Sequence, residues 1–327
     1  MIDQTYYYIQ EGYDPFQNLA TEQHLMETVP ENSCILYLWQ NRHTVVIGKN
    51  QNCWKECRLQ QLADDGGLMA RRLSGGGAVY HDLGNLNFTF LIHKADYHVS
   101  RQLDVILKAL ELLGISAEKS GRNDLLADGR KFSGNAFYEN GNRCYHHGTL
   151  MVQVDREQLG KYLQVSASKL KSKGVASVQA RVVNLTELKP ELTIEQLKQA
   201  LIDAMELVYE HKARPWPQEN LDIQQVEAYR QHYASDAFRL GRRIPFSWEM
   251  THRFAWGEIQ LQCEANEGKL KQVQIYSDAM DAGLIEQMAL QLQGCAFGSK
   301  AMAERLMQME HRQEITDLCE YLLELNM

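Results

Sequence analysis

The chain has 327 residues, 44% of them apolar and 23% charged, and only six prolines, which describes a large globular domain with a smaller companion and excludes disordered or low-complexity protein. A formal charge of −8 argues against general nucleic-acid binding, which needs clustered cations to release phosphate counterions. Seven cysteines without metal-ligand spacing, a start lacking the basic, apolar pattern of a leader and no run of about 18 apolar residues make a reduced, cytoplasmic protein the expectation, with neither nucleic acid nor membrane as partner.

Residues 2–9 are tyrosine-rich and strand-like, Asp14-Pro15 marks a turn, and 18–28 carry Leu19, Leu25 and Met26 at helical spacing. The β-branched and aromatic runs 34–39 and 44–48 flank the polar Gln40-Asn41-Arg42-His43 and predict a hairpin. Trp39 then ends a strand, either as a core aromatic or as part of a pocket wall. A polar helix over 55–65 leads to residues 71–85, Arg-Arg-Leu-Ser-Gly-Gly-Gly-Ala-Val-Tyr-His-Asp-Leu-Gly-Asn, between strand-like runs at 68–70 and 87–92. An amphipathic helix follows over 103–113, ended by Gly114, then a second hairpin around Asp128-Gly129 and a strand over 146–152.

Farther on, 159–163 and the lysine-bearing 169–173 read as helical or looped, the lysines as a solvated face. Thr193 caps a helix over 193–209, with Ile194, Leu197, Leu201, Met205 and Val208 as its apolar stripe. Arg214-Pro215-Trp216-Pro217 breaks the pattern before a helix over 226–238. From about residue 246 the texture changes to strands at 258–263 and 270–276 and helices at 284–292, 301–309 and 315–325. The chain therefore divides into 1–245 and a small α+β domain, 246–327.

Three consecutive glycines beside Arg71 and Arg72 present unscreened backbone N–H groups and fixed positive charge, a candidate anion site. Gly75, Gly76 and Gly77 do not continue into the Gly-Lys-Ser/Thr of a Walker loop, and a triglycine alone is as well explained by turn geometry. What favours function is the company of His81, Asp82, Asn85 and the lone Lys131 in a second glycine-containing block. His146 and His147 alternate across a strand, so they face opposite sides and cannot share a metal.

The stretch 71–82 resembles the nucleotide-binding signature of lipoate–protein ligases, relatives of biotin protein ligases and octanoyltransferases. Other blocks agree in order: 14–22, 38–48, Gly121-Arg122-Asn123-Asp124 with 131–136, 146–150 and 181–185, while the C-terminal stretch resembles the ligases' accessory domain. The resemblance implies an α/β (α+β) mixed-sheet catalytic domain of the biotinyl/lipoyl ligase, class II synthetase-like type. It also implies ATP as co-substrate with Mg²⁺: lipoate is activated to lipoyl-AMP, then passed to a lysine of an apo-lipoyl domain. The acceptor would be a 2-oxoacid dehydrogenase acyltransferase subunit or the glycine-cleavage H protein.

By the same resemblance, Lys131 is the catalytic lysine, touching both lipoate carboxyl and α-phosphate. Arg71, Arg72, Gly75, Gly76, Gly77, Ala78, Val79, Tyr80, Asn123 and Asp124 join it around ATP, with Asp124 also placed for Mg²⁺ or as a turn cap. Trp39, Ser74, Gly76, His81, His147 and Gly148 are implied around lipoate. The rivals are an octanoyltransferase or lipoyl amidotransferase using an acyl-cysteine, for which Cys144 is the nearest residue, a biotin ligase, disfavoured by the missing Gly-Arg-Gly-Arg pattern, and a silent lipoate-binding protein.

Overall fold

A computed structural model describes residues 2–121, 124–164 and 182–327. In chain order its strands are β1 (Gln4–Ile9), β2 (Ser33–Trp39), β3 (Thr44–Ile47), β4 (Leu68–Arg71), β5 (Val79–His81), β6 (Asn85–His93), β7 (Glu118–Ser120), β8 (Asp124–Ala127), β9 (Arg130–Asn140), β10 (Arg143–Met151) and β11 (Ala213–Pro215). The last three are β12 (Trp248–Phe254), β13 (Gly257–Asn266) and β14 (Lys269–Ser277). Eight of them form one mixed sheet in the order β11-β1-β2-β6-β10-β9-β8-β7, parallel from β11 to β2 and antiparallel from there on.

Every residue of β2 is buried, because both faces of the sheet are covered. Cys34, Leu36 and Leu38 point to one core with the helices Val99–Leu112 and Ile194–Tyr209. Ile35, Tyr37 and Trp39 point to the other, with the helices Pro15–Thr28 and Ile223–Ala234. The second of these four begins with the expected capping box, Thr193 and Gln196 each bonding the other's backbone N–H.

Two local expectations fail for tertiary reasons. β2 and β3 do not form a hairpin: β1 and β6 already occupy both edges of β2, so β3 joins β4 and β5 in a separate three-stranded sheet. The helix expected over 55–65 is split into Cys53–Glu56 and Leu59–Asp64. Between the pieces Cys57 is extended and bridges Leu163, while the Arg58 N–H donates to the Tyr162 carbonyl. The second hairpin does form, β8 to β9, with Asp128 and Gly129 both at positive φ as a primed two-residue turn requires. Residues 169–173, expected helical or looped, and Arg181 lie outside the described residues.

The C-terminal strands β12 to β14 carry the helices Ala282–Leu292, Ser299–Leu306 and Gln313–Leu325 on a core of their own, with Ile259, Leu261, Met288 and Leu318 fully buried. The mixed sheet with helices on both faces, followed by a small α+β unit, is the architecture the sequence led us to expect.

Candidate active site

The glycine motif is the turn between β4 and β5, which pair with opposite edges of β3. Gly76 has φ +88°, and a Cβ on Gly75 would lie 2.3 Å from the carbonyl oxygens of both Ala279 and Met280. The first is a conformation that strains any side chain, and the second leaves no room for one. The glycines thus let a second backbone lie against the loop, and here that backbone belongs to the C-terminal domain. The Gly76 N–H donates to the Ala279 carbonyl at 3.1 Å.

Beside this loop opens a cavity of about 300 Å³. The motif contributes Arg72, Gly76, Gly77, Ala78, Val79 and His81 to its wall. Trp39, Lys131, His147 and Gly148 line it from β2, β9 and β10, so the structure gathers in one place expected site residues up to 109 positions apart, as the numbering of Trp39 and Gly148 shows. Ser74, Gly75, Tyr80 and Asp124 do not line it; Tyr80 turns away to pack edge-on against His43 and at a tilt against Tyr162. Asn123 lies outside the described residues.

One end of the cavity is buried, and a continuous chain of hydrogen bonds backs its wall. The indole N–H of Trp39 donates to Thr89 Oγ1 at 3.1 Å, and Thr89 Oγ1 donates to Glu22 Oε1 at 2.6 Å. The same carboxyl oxygen lies 2.9 Å from His147 Nδ1, and His147 Nε2 lies 2.8 Å from Ser74 Oγ. Arg72 Nε completes the chain by donating to Ser74 Oγ at 3.0 Å. Three strands, one helix and the glycine loop are tied through this one buried path, which is the condition under which polar groups are tolerated in a core.

His81 lies on the same wall. Burial, then the charge of Arg72 and the neighbouring His147, push its pKa down to about 3, so the ring is neutral at physiological pH. Asp82 does not pair with it; its two oxygens accept from the N–H groups of Gly84 and Asp155. His146, on the opposite side of β10, packs between Phe88 and Phe137 and bonds Gln102 and Asn135. The two adjacent histidines therefore serve different faces, as the strand periodicity dictates.

The arginines behave differently from each other. Arg72 is buried and gives its N–H groups to Ser74 Oγ and to the carbonyls of Val46, Gly75 and Gly77, holding the loop's shape from inside. Burial lowers its pKa to about 10, still well above neutrality. Arg71, expected beside ATP, instead donates to the carbonyls of Gly48, Lys49, Gln51, Phe238 and Arg239 and does not line the cavity. Its guanidinium is used to tie the segments around the motif together.

At the open end of the cavity Lys131 is partly exposed, and its ammonium lies 2.7 Å from Asp124 Oδ1. Gly134 leaves space for it, since a Cβ there would come within 3.1 Å of Lys131 Nζ. Asp278 and Met280 of the C-terminal domain close the rim. No cysteine lines this cavity among the described residues, and Cys144 is wholly buried with its thiol pushed up to about 11 by that burial.

Several residues in or behind the cavity wall escaped the sequence reading. Glu22 had a signal, since it sits three residues from Leu19 and four from Met26 on the helix's buried face, where an acid is out of place. Asn87 had one too: Asn85, Asn87 and Thr89 alternate with Leu86, Phe88 and Phe90 along β6, a polar row in a strand buried at every position. Asn135 and Thr149 also line the cavity, whereas Asp278 and Met280, more than 140 residues after Lys131 in the numbering, had no local mark.

Residues 14–206 match the family of lipoyl protein ligase A/B catalytic domains, and residues 243–322 match the bacterial lipoate protein ligase C-terminus. Among solved structures the chain is similar to P. falciparum LipL1 in complex with lipoate, at 27% identity and a TM-score of 0.86, covering 98% of this chain and 99% of that one. It shares the fold of the bi-partite lipoate protein ligase from Thermoplasma acidophilum at 23% identity and a TM-score of 0.64, covering 74% and 98%. A lipoate-protein ligase A bound with ATP has the same fold at 22% identity and a TM-score of 0.61, covering 74% and 99%. Because the first match takes in more than half of its length, the chain belongs to the lipoyl protein ligase A/B family.

Proposed function

We propose that this protein is an ATP-dependent, AMP-forming lipoate–protein ligase that carries its chemistry on residues 1–245 and uses 246–327 as an accessory domain. The observation that carries the reading is the single cavity whose buried end is lined by Trp39, His81 and His147 and whose open end holds Lys131 beside the glycine loop. A narrow site with a buried end and the Lys131 ammonium at its mouth suits a fatty-acid-like chain ending in a carboxylate. LipL1 of P. falciparum was solved with lipoate, and a ligase of the same fold with ATP.

In the first half-reaction a lipoate carboxylate oxygen attacks the α-phosphorus of ATP, the bond to the β-phosphate breaks, and pyrophosphate leaves. Lys131 would meet the oxygens of both reactants and offset the charge that builds on them, a task for a compact ammonium. Arg72 shapes the loop against which the nucleotide would lie, along Gly76 to Val79. The Gly76 N–H is taken by Ala279 in this state, so nucleotide binding replaces that contact and draws the segment 278–280 off the loop. In the second half-reaction the acceptor's lysine amine attacks the acyl carbon and AMP leaves. The acceptors are apo-lipoyl domains of acyltransferase subunits or the glycine-cleavage H protein; the archaeal relative belongs to a system that includes a lipoyl domain.

Among the described residues no three His, Cys, Asp or Glu come together as a metal cage. That suits Mg²⁺, which is commonly held by phosphate oxygens, water and one or two carboxylates. Asp124, beside Lys131, is the carboxyl that would reach it; when bound, the ion neutralises phosphate charge.

Lipoate-dependent exchange of pyrophosphate into ATP tests the reading. Lys131→Ala should lose about 10²-fold or more, the order for removing one transition-state stabiliser, with melting unchanged because the side chain is partly exposed. An undiminished exchange rate would sink the role of Lys131. Transfer without ATP that is abolished by Cys144→Ala would instead establish the acyl-cysteine route.

A further inference from the structure

The buried end of the cavity contains two N–H donors with nothing to bond. Asn18 Nδ2 donates to the Gln40 backbone carbonyl at 2.7 Å, which fixes which end of that amide is nitrogen, and it donates also to Asn41 Oδ1 at 2.8 Å. Asn41 must then present its own Nδ2 to His81 Nδ1, 3.1 Å away. His81 Nδ1 is therefore an acceptor, and the neutral ring carries its hydrogen on Nε2. Among the described residues nothing accepts it, although the ring is only 3% exposed.

Asn87 repeats the situation. Its Oδ1 accepts from Asn85 Nδ2 at 3.0 Å, and its Nδ2, on a residue 2% exposed, has no partner among the described residues. In the register of the sheet Asn87 lies directly between Trp39 on β2 and Thr149 on β10, and all three line the cavity together with His81. His147, by contrast, has both ring nitrogens engaged. Burying a donor without a partner is costly, so a cavity that keeps two of them is shaped for an occupant that accepts.

We propose that His81 Nε2–H and Asn87 Nδ2–H are the specificity determinants for sulfur, donating to the dithiolane ring of lipoate at the buried end of the cavity. This rests on the reading of the function given above and deepens it. The exposure gradient sets the direction: Lys131, at the partly exposed mouth, takes the carboxylate, and an extended five-carbon chain brings the ring to the end where Trp39, His81 and Asn87 stand. A thioether-like sulfur is a weak acceptor, yet it satisfies donors that methylene cannot, and sites built around a hydrogen bond reject analogues lacking the partner.

The test is calorimetric titration of the full chain with lipoate and with its carbocyclic analogue, in which both sulfurs are replaced by methylene and the ring's shape is kept. Wild-type protein should bind lipoate about tenfold or more tightly than the analogue, the ratio expected from one or two unsatisfied donors. Asn87→Leu and His81→Phe should each weaken lipoate several-fold while leaving the analogue unchanged or tighter. Equal affinities in the wild type, or variants that weaken both acids alike, would overturn the assignment while leaving the ligase reading standing. Binding of neither acid would strike the functional reading itself. Should a variant fail to fold, the wild-type ratio between the two acids decides alone.

Discussion

The two ends of the cavity are built on opposite plans. The buried end comes from the eight-stranded sheet, its flanking helix and the β4–β5 loop, and its path from Trp39 through Thr89, Glu22, His147 and Ser74 to Arg72 leaves each linking group held on both sides. The open end is assembled from two domains. There the Gly76 N–H meets Ala279, Asn50 bonds Ala282 and Ser277, and Lys49 pairs with Glu286 across the boundary. A binding site that must hold one acyl chain closely, then present its activated carboxyl to another protein, needs a rigid end and a parting one.

This contrast can be broken from either side. Glu22→Ala removes the acceptor shared by Thr89 and His147 and should cost the most, about 2–4 kcal/mol in urea unfolding, since two buried donors lose their partner together. A loss below about 1 kcal/mol would mean that the buried path is not a structural unit. Gly75→Ala acts at the other end, where its Cβ would collide with Ala279 and Met280. The expected result is a smaller loss, about 1–2 kcal/mol, with faster amide exchange at Gly76 and in 278–280 and unchanged protection in β2 and β6. Protection retained at Gly76 would show that the domain contact tolerates the side chain.

The smallest effect is expected from Glu286→Ala, which removes a partly exposed ion pair with Lys49. Its cost should stay below about 1 kcal/mol and vanish in high salt. A larger, salt-independent cost would mark the pair as a true fastener and make the open end as rigid as the buried one.

Much of the fold could be read from local pattern. The strand over 34–39, the Asp128-Gly129 turn and the Thr193 cap each depend on a few residues, and each appears as expected. The hairpin between β2 and β3 was misread because local alternation does not say which strand will occupy an edge. In the site, Lys131, Trp39, His81 and His147 were reachable through the motifs around them, and the structure brings them together. Arg71 shows the limit: two adjacent arginines look alike in sequence, but alternation along the chain sends one toward the cavity and the other into a nest of carbonyls.

By itself, then, the sequence determined the class of fold, the family through the stretch 71–82 with Lys131, and the glycines' need for close backbone approach, because these depend on residue type and short spacing. Tertiary structure alone decided what lies against those glycines, which arginine reaches the cavity, and that Asn18, through Asn41, fixes the hydrogen on His81. Such assignments depend on which groups meet across the sheet and between domains. Hydrogen-bond direction is a property of a whole network, and no single residue in it carries the answer.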